Sequence, residues 1–147
     1  MLISLVIRTL NEARHLGDLL DSVSGQVLHG PELPPGTRFA VETVVIDSGS
    51  TDGTVDIARG HGARVTTIRK ADFSFGRSLN RGSEFARGDI LVYVSGHCIP
   101  VDAHWLRRLC APLVAGTAVY SYGGQVGDET SQWSERRIFA KYFPPVS

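Results

Sequence analysis

Short apolar runs rich in β-branched residues alternate along the chain with longer segments in which apolar residues recur every three or four positions. The runs predict buried strands, and the longer segments predict amphipathic helices. Strands are predicted at residues 3–7, 41–46, 64–68, 90–94 and 117–126. Helices are predicted at residues 12–28, 54–59, 77–87, 103–114 and 134–142. Because strands that alternate with helices build βαβ units, the pattern predicts an α/β fold, a three-layer sandwich around a mainly parallel sheet.

The breaks between these segments carry turn and capping signals. Residues 29–39 hold three prolines and two glycines and are predicted to form a loop. Asp52 and Asp102 each precede a predicted helix, where a carboxylate can accept hydrogen bonds from free amides, so both are predicted N-caps. No repeat or linker interrupts the 147 residues, a length close to the ~150 residues of one domain, so residues 1–147 are predicted to form a single domain.

Charge and cysteine content narrow the classes of function. Lysine plus arginine number 15 and aspartate plus glutamate number 15, so the net charge is +0 and the basic footprint of a nucleic-acid-binding protein is absent. Two cysteines are too few for a disulfide framework or a zinc quartet. The apolar runs are far shorter than the ~20 residues that span a bilayer. These features predict a cytoplasmic protein with no nucleic-acid partner.

Polar or glycine-rich segments follow four of the predicted strands, at residues 9–12, 47–53, 69–77 and 95–98. The carboxyl ends of parallel strands border the crevice in which such sheets bind ligands. Asp47, at a strand end, is predicted to accept hydrogen bonds from a base N–H or a ribose hydroxyl. Residues 50–53 fit a self-satisfied turn between strand and helix. The segment lacks the Gly-Lys-Ser/Thr of a Walker A loop and the Gly-x-Gly-x-x-Gly of a dinucleotide fold.

Four motifs, in order along the chain, carry a resemblance to a known family. They are Thr-Leu-Asn-Glu at 9–12, Val-Val-Ile-Asp-Ser-Gly-Ser-Thr-Asp-Gly-Thr at 44–54, Phe-Ser-Phe-Gly-Arg-Ser-Leu-Asn-Arg-Gly at 73–82 and Ala-Arg-Gly-Asp-Ile-Leu-Val-Tyr-Val-Ser-Gly-His-Cys-Ile-Pro at 86–100. Over roughly residues 2–110 the sequence resembles family 2 glycosyltransferases of the GT-A fold. The resemblance implies the Rossmann-like donor-binding half of an enzyme that transfers a sugar, with inversion, from a nucleoside-diphosphate-sugar to an acceptor hydroxyl. The acceptor implied is a glycan or lipid-linked glycan of polysaccharide biosynthesis.

The same resemblance assigns residues to a donor site. It implies that Thr9 and Glu12 lie beside the nucleotide and that Asp47 meets the base or ribose. It also implies that Arg77 and Asn80, at a helix start, border the donor. Arginine near a helix N-terminus suits a diphosphate, because the guanidinium and the end amides both favour anions. Three alternatives stay open: Glu12 as a helix N-terminal charge, Arg77 as a solvated residue, and Asn80 as a clamp on neighbouring backbone.

The sequence departs from the family at residues 95–97, Ser-Gly-His, where an acidic pair usually binds Mg²⁺ or Mn²⁺ on the donor diphosphate. By position, His97 replaces the last aspartate. The resemblance therefore implies a divalent cation bound through His97, Mn²⁺ more readily than Mg²⁺, which prefers hard oxygen ligands. Alternatively, His97 hydrogen-bonds the diphosphate directly, or it caps the strand and touches no ligand. In a metal-free site, Arg77 or Arg81 and helix amides would hold the diphosphate.

Family members usually continue well beyond the length of this chain, and their later half supplies the acceptor site and an acidic base. The chain is therefore expected to be truncated relative to a full transferase, and its catalytic residues are unassigned. Asp128 and Glu129 are weak candidates for the base, with a solvated loop as the alternative. Trp133, Ile138 and Phe139, at the last predicted helix, suit core packing, self-association or peripheral membrane contact.

Two other classes of function stay open beside the glycosyltransferase or its donor-binding part. A non-catalytic module that binds nucleotide or a partner would need neither the acidic pair nor a base. A sugar nucleotidyltransferase shares a related α/β fold, but it would need a glycine-rich N-terminal loop for a triphosphate. Residues 7–12 contain no glycine, which disfavours that class.

Overall fold

The protein is described by a computed structural model that covers residues 1–127 and 133–143. Within these residues one sheet contains β1 (Leu2–Thr9), β2 (Ala40–Asp47), β3 (Arg64–Thr67) and β4 (Ile90–Ser95). The helices are α1 (Ala13–Ser24), α2 (Thr54–Gly60), α3 (Phe75–Phe85), α4 (Trp105–Val114) and α5 (Trp133–Tyr142), with a short 3₁₀ turn at Lys70–Asp72. All strand pairings are parallel, in the order β3-β2-β1-β4. The predicted α/β fold with a parallel sheet is confirmed.

The two faces of the sheet are covered by different helices. Ile3, Leu5 and Ile7 are fully buried in a cluster with side chains of α1, α2 and α4. Val6 and Ile46 are fully buried on the other face, in a cluster that includes the end of α3. Successive side chains of a strand point to opposite faces, so β1 contributes to both layers. Burying one such apolar side chain stabilises the fold by about 1.5–3 kcal/mol. Because the central strands are buried on both faces, their positions coincide with the apolar runs of the sequence.

Gly82 allows α3 to approach the sheet closely. A Cβ atom on Gly82 would lie 2.4 Å from Cδ1 of Ile46 and 2.5 Å from Cγ1 of Val6. The first residue of α3 then lies beside the end of β1, where the ring centroid of Phe75 is 4.2 Å from Cζ of Arg8. Helix packing therefore brings the N-terminus of α3 to the carboxyl edge of the sheet.

The strand order reverses between β1 and β4. Successive strands β1, β2 and β3 extend the sheet in one direction, and β4 pairs on the opposite side of β1. At the carboxyl edge this puts Arg8 opposite Ser95, while Thr9 pairs with Asp47 on the other side. Open α/β sheets bind ligands in the crevice at such a switch point. The fold therefore directs attention to the segments that follow β1, β2 and β4.

Two secondary-structure predictions are wrong by more than two residues. The first predicted helix stops at Ser24, before Val27, whose N–H instead donates to the Ala103 carbonyl at 2.7 Å. Residues 117–126 are not a strand; Thr117 donates its N–H to the Pro112 carbonyl at 3.0 Å, and the segment pairs with no described strand. In both places a bond to the region of α4 replaces the regular structure that the apolar spacing favours.

The predicted caps act from slightly outside their helices. Gly53, with φ of 91°, holds the N-cap position of α2, and the Asp52 carboxylate accepts the Thr54 N–H at 3.1 Å. His104 holds the N-cap position of α4, and its N–H donates to Asp102 at 2.7 Å. Both aspartates thus cap free amides as their residue type predicts, although neither is the positional N-cap.

The last helix carries exposed apolar side chains. Trp133 is 72% exposed and Ile138 is 53% exposed, so core packing of these two side chains is excluded. None of the helices in the described part of the chain combines the length and the hydropathy needed to cross a bilayer. Self-association and peripheral membrane contact through this helix stay predictions.

Candidate functional site

The segments after β1 and β2 are joined by hydrogen bonds around Asn11. Asn11 is the one non-glycine residue of the described chain with positive φ, at 55°, a conformation that asparagine tolerates better than most residues. Its N–H donates to Oγ of Ser50 at 2.8 Å, and its Oδ1 accepts the Thr51 N–H at 2.9 Å. The two loops therefore form one platform at the carboxyl edge of the sheet.

Asp52 and Thr54 extend this platform to the start of α1. The Asp52 carboxylate accepts the Ala13 N–H at 3.0 Å, and Oγ1 of Thr54 accepts the Glu12 N–H at 2.9 Å. Hydrogen bonding from the Thr54 hydroxyl, together with the bond from the Ala13 amide, holds the pKa of Asp52 below its ordinary value. The self-satisfied turn predicted for residues 50–53 is thus observed, and it also orders the neighbouring loop.

Asp47 is the buried centre of the second loop, with 3% of its surface exposed. Its Oδ2 accepts the N–H groups of Gly49 and Ser50, each at 2.9 Å. Its Oδ1 accepts the Ser50 hydroxyl at 2.5 Å and the Thr9 hydroxyl at 3.1 Å. The structure therefore brings Thr9 and Asp47 together, with four protein donors around the carboxylate. Contact of Asp47 with a base or ribose stays a prediction.

Glu12 and His97 meet across the switch point. Nδ1 of His97 lies 3.0 Å from Oε1 of Glu12, although the two residues are 85 positions apart in sequence. The imidazole is 59% exposed and the carboxylate 20% exposed. Gly96 permits this approach, since a Cβ there would lie 3.0 Å from Cγ of Glu12. The contact occupies Nδ1 and leaves Nε2 as the ring nitrogen that can reach a ligand.

The first two turns of α3 present two of the predicted residues to solvent. Ser74 is the N-cap, and its hydroxyl accepts the Arg77 N–H at 3.1 Å. Arg77 and Asn80 are both exposed. Within the described chain the Asn80 side chain makes no hydrogen bond, so the alternative of an internal clamp is wrong. Arg81 lies 3.8 Å from a carboxylate oxygen of Glu84, as expected for a solvated helix face.

Arg8 belongs to the same edge and was missed by the sequence predictions. Its Cζ lies 4.2 Å from the ring centroid of Phe75, and its Nη2 donates to Oγ of Ser95 at 3.4 Å. The signal in the sequence is a single charge within the otherwise apolar and hydroxyl-bearing strand Leu-Ile-Ser-Leu-Val-Ile-Arg-Thr. The strand prediction ends at Ile7, so it gave Arg8 no role.

The donor set at this edge does not form a metal site by itself. No group of three or more histidine, cysteine, aspartate or glutamate side chains suited to an ion occurs in residues 1–127 and 133–143. At residues 95–97 the side-chain groups are the Ser95 hydroxyl, bonded by Arg8, and the His97 imidazole, bonded through Nδ1 to Glu12. Asp128 and Glu129, the candidate bases, lie outside the described residues.

The sequence of this chain is similar to the sequences of known proteins, two of which follow. Glycosyltransferase AglE of Haloferax volcanii is 30% identical over 129 residues, covering 84% of this chain and 39% of that protein. A glucosyl-3-phosphoglycerate synthase of Mycolicibacterium paratuberculosis is 32% identical over 124 residues, covering 80% of this chain and 35% of that protein. The chain thus spans between 35% and 39% of the length of these two relatives.

Solved structures share the fold. The crystal structure of the Mycobacterium tuberculosis glucosyl-3-phosphoglycerate synthase with Mn²⁺, uridine diphosphate and glucosyl-3-phosphoglycerate superposes with a TM-score of 0.58 at 30% identity, covering 76% of this chain and 39% of that one. A structure of the same enzyme with Mg²⁺ and uridine diphosphate gives a TM-score of 0.59 at 29% identity, covering 76% and 39%. Residues 4–145 match the family model described as Glycosyl transferase family 2. The chain therefore belongs to glycosyl transferase family 2, with a GT-A-like fold.

Proposed function

We propose that this chain is the donor-binding part of a glycosyltransferase that takes its sugar from a nucleoside-diphosphate-sugar. The observation that carries the proposal is the ordered platform at the β1/β4 switch point, where Glu12 meets His97 and Asp47 holds the adjoining loop. A sheet edge built in this way offers fixed polar groups to a nucleotide. Membership of the family supplies the class of reaction.

The nucleoside is proposed to lie along the platform, beside Thr9 and Glu12. Asp47 contributes by holding the loop in place through its four hydrogen bonds. The diphosphate is proposed to face the start of α3, where the end amides favour an anion and where Arg77 in the first turn and Asn80 in the second are exposed. In this arrangement Thr9 and Glu12 lie beside the nucleoside, Arg77 and Asn80 border the diphosphate, and Asp47 supports the loop, while its own contact with a base or ribose stays a prediction.

The reaction proposed is a single displacement at the anomeric carbon. An acceptor hydroxyl gives its proton to a base, its oxygen bonds to the anomeric carbon, and the bond from that carbon to the diphosphate oxygen breaks, with inversion. The base stays unassigned, with Asp128 and Glu129 as candidates. A glycan or lipid-linked glycan stays the predicted acceptor, as in polysaccharide biosynthesis, in a cytoplasmic protein.

Divalent-cation binding through His97 also stays a prediction for this chain. Structures of the M. tuberculosis relative contain Mn²⁺ or Mg²⁺. Here the described side chains form no group of ligands sufficient for an ion, and the imidazole is a single donor. Donor phosphate oxygens would have to complete the coordination. The proposed reaction therefore includes no step through a metal.

A second candidate, a nucleotide-binding module without turnover, is favoured by one observation. The described residues contain neither an assignable base nor the acidic pair usual in the family. The two candidates differ in outcome rather than in the binding site. Both predict nucleotide binding, but only the transferase predicts that the sugar leaves its diphosphate.

Calorimetry with UDP, dTDP, GDP and CDP tests the proposed site. At least one diphosphate is expected to bind with a Kd in or below the ~1 mM range of enzyme substrates. His97→Ala should weaken that binding about two- to tenfold, the value of one neutral hydrogen bond. His61→Ala is the matched control, because His61 also contacts a carboxylate, that of Asp21 at 3.2 Å, away from the switch point. No binding by the wild-type chain would contradict the proposal.

A further inference from the structure

Arg8 is a fixed positive charge at the point where the strand order reverses. It is the residue before the end of β1 and pairs in register with Ser95 of β4. Its guanidinium stacks on Phe75, with Cζ 4.2 Å from the ring centroid, and donates to the Ser95 hydroxyl at 3.4 Å. Stacking covers one face of the planar guanidinium, and the N–H groups along its edge that Ser95 does not use stay available to a ligand.

The charge environment separates Arg8 from every comparable arginine. Of the arginines in the described chain, three are partly or fully buried: Arg8, Arg64 and Arg107. Arg64 lies 3.0 Å from a Glu42 oxygen, and Arg107 lies 3.3 Å from a Glu32 oxygen. No carboxylate of the described residues lies within 4.0 Å of the Arg8 guanidinium. A partly desolvated cation without a counter-ion is stabilised by an incoming anion.

The diphosphate of a sugar donor is the anion that fits this position. The negative charge of the diphosphate needs a cation at the switch point. Residues 95–97 contain no carboxylate that could hold a metal against the diphosphate. Arg8 adjoins the N-terminus of α3, whose end amides favour the same anion. A guanidinium also matches phosphate oxygens with two parallel hydrogen bonds.

We infer that Arg8 binds the donor diphosphate and stabilises the negative charge that develops on it as the sugar departs. This inference rests on the proposed function, since it names a residue of the same donor site. In the transfer step the bond between the anomeric carbon and the diphosphate oxygen breaks, and the electron pair stays on that oxygen. A preorganised cation beside it lowers the free energy of the charged leaving group.

The test compares Arg8→Met and Arg8→Lys with the wild-type chain by calorimetry in the presence of EDTA. The probes are whichever of UDP, dTDP, GDP and CDP binds tightest, and the corresponding nucleoside. Arg8→Met should weaken diphosphate binding about ten- to a hundredfold, the value of a charge-assisted contact, and change nucleoside binding less than about threefold. Arg8→Lys keeps the charge without the fork and should give an intermediate loss.

Arg64→Met is the matched control. Arg64 stacks on Phe85 at the same 4.2 Å, but near the beginning of β3 and the end of α3, so its loss should change neither affinity. If Arg8→Met does not fold, Arg8→Gln, which keeps a donor for Ser95, replaces it in the comparison.

Three results would overturn the assignment. The first is an Arg8→Met chain that binds the diphosphate as tightly as wild type. The second is wild-type binding that disappears in EDTA and returns with Mn²⁺ in wild type and Arg8→Met alike, because a metal would then supply the charge. The third is a wild-type chain that binds none of the diphosphates, which overturns the proposed function itself and is thereby distinct from a failure of Arg8 alone.

Discussion

Asp47 offers a direct way to separate a residue that holds a loop from one that touches a ligand. Its Oδ2 accepts two backbone amides, of Gly49 and Ser50, and its Oδ1 accepts two hydroxyls, of Thr9 and Ser50. Asparagine can reproduce this pattern, because its oxygen can accept both amides while its NH₂ group donates to both hydroxyl oxygens. Alanine loses all four bonds. The pair Asp47→Asn and Asp47→Ala therefore tests geometry apart from charge.

The expected loss in the free energy of unfolding follows from the groups that Asp47→Ala leaves without hydrogen-bond partners. The hydroxyls can rotate to other acceptors, so the main loss in Asp47→Ala comes from the two amides. A buried donor left unsatisfied costs about 1–3 kcal/mol, so two would cost about 2–6 kcal/mol. Gly49 is exposed, and water can restore part of that loss at its amide. We expect Asp47→Ala to lower the free energy of unfolding by about 2–4 kcal/mol and Asp47→Asn by less than about 1.5 kcal/mol.

Urea unfolding followed by circular dichroism measures both values on the same chain. Calorimetry with the tightest-binding nucleoside diphosphate adds the functional readout. If Asp47 holds the loop, Asp47→Asn binds within about threefold of wild type, and Asp47→Ala binds at least about tenfold more weakly. Equal loss of binding in both variants, with Asp47→Asn still stable, would contradict a purely loop-holding role and would show that a ligand contacts the carboxylate directly.

Three further outcomes are expected. Gly82→Ala should destabilise the chain by about 1–3 kcal/mol, because its Cβ would lie 2.4 Å from Cδ1 of Ile46. Gly76→Ala on the same helix is the control, because a Cβ there meets no atom within 4 Å. Equal urea midpoints for the two variants would contradict this expectation. Hydrogen bonds from Thr54 lower the pKa of Asp52 in the folded chain. The ionised carboxylate therefore stabilises the fold above the pKa that Asp52 has in the unfolded chain, and this stabilisation is lost as the pH falls through the lower folded pKa. Asp52→Asn should therefore flatten the decline of stability below about pH 4, and an unchanged acid limb would argue against it. The isolated chain should glycosylate an acceptor more slowly than ~1 s⁻¹, because the described residues supply no assignable base for the acceptor hydroxyl. A faster rate in a coupled diphosphate-release assay would show that the chain is catalytically sufficient.

The sheet was predictable from the sequence because burial on both faces leaves a short apolar run in each central strand, residues 5–7 in β1 and residues 44–46 in β2. Residues 117–126 show the limit of that signal. The segment has the β-branched and aromatic composition of a strand, yet Val119 is 93% exposed and Tyr122 is 78% exposed. A strand needs a hydrogen-bonding neighbour, and composition does not report whether one is present. The prediction that the first helix continues to residue 28 is wrong for a related reason, because the Val27 N–H forms a long-range hydrogen bond to the Ala103 carbonyl.

The site was predictable where a residue type and a strand end coincide. Thr9 and Asp47 follow from that rule, and the structure makes them neighbours. The contact between Glu12 and His97 depends on β4 pairing beside β1, which no local pattern encodes. Arg8 lies inside a run that predicts a strand, so its chemistry becomes visible only with the register to Ser95 and the position of α3.

Donor binding at the carboxyl edge of the sheet is tested most directly by locating the backbone amides that a nucleoside diphosphate perturbs. Backbone amide chemical shifts can be recorded during titration with UDP, dTDP, GDP or CDP. Donor binding at the carboxyl edge of the sheet predicts that the largest changes fall at residues 8–12, 47–54, 74–77 and 95–97. Changes concentrated at the opposite edge, around residues 40–42 and 86–90, would contradict it.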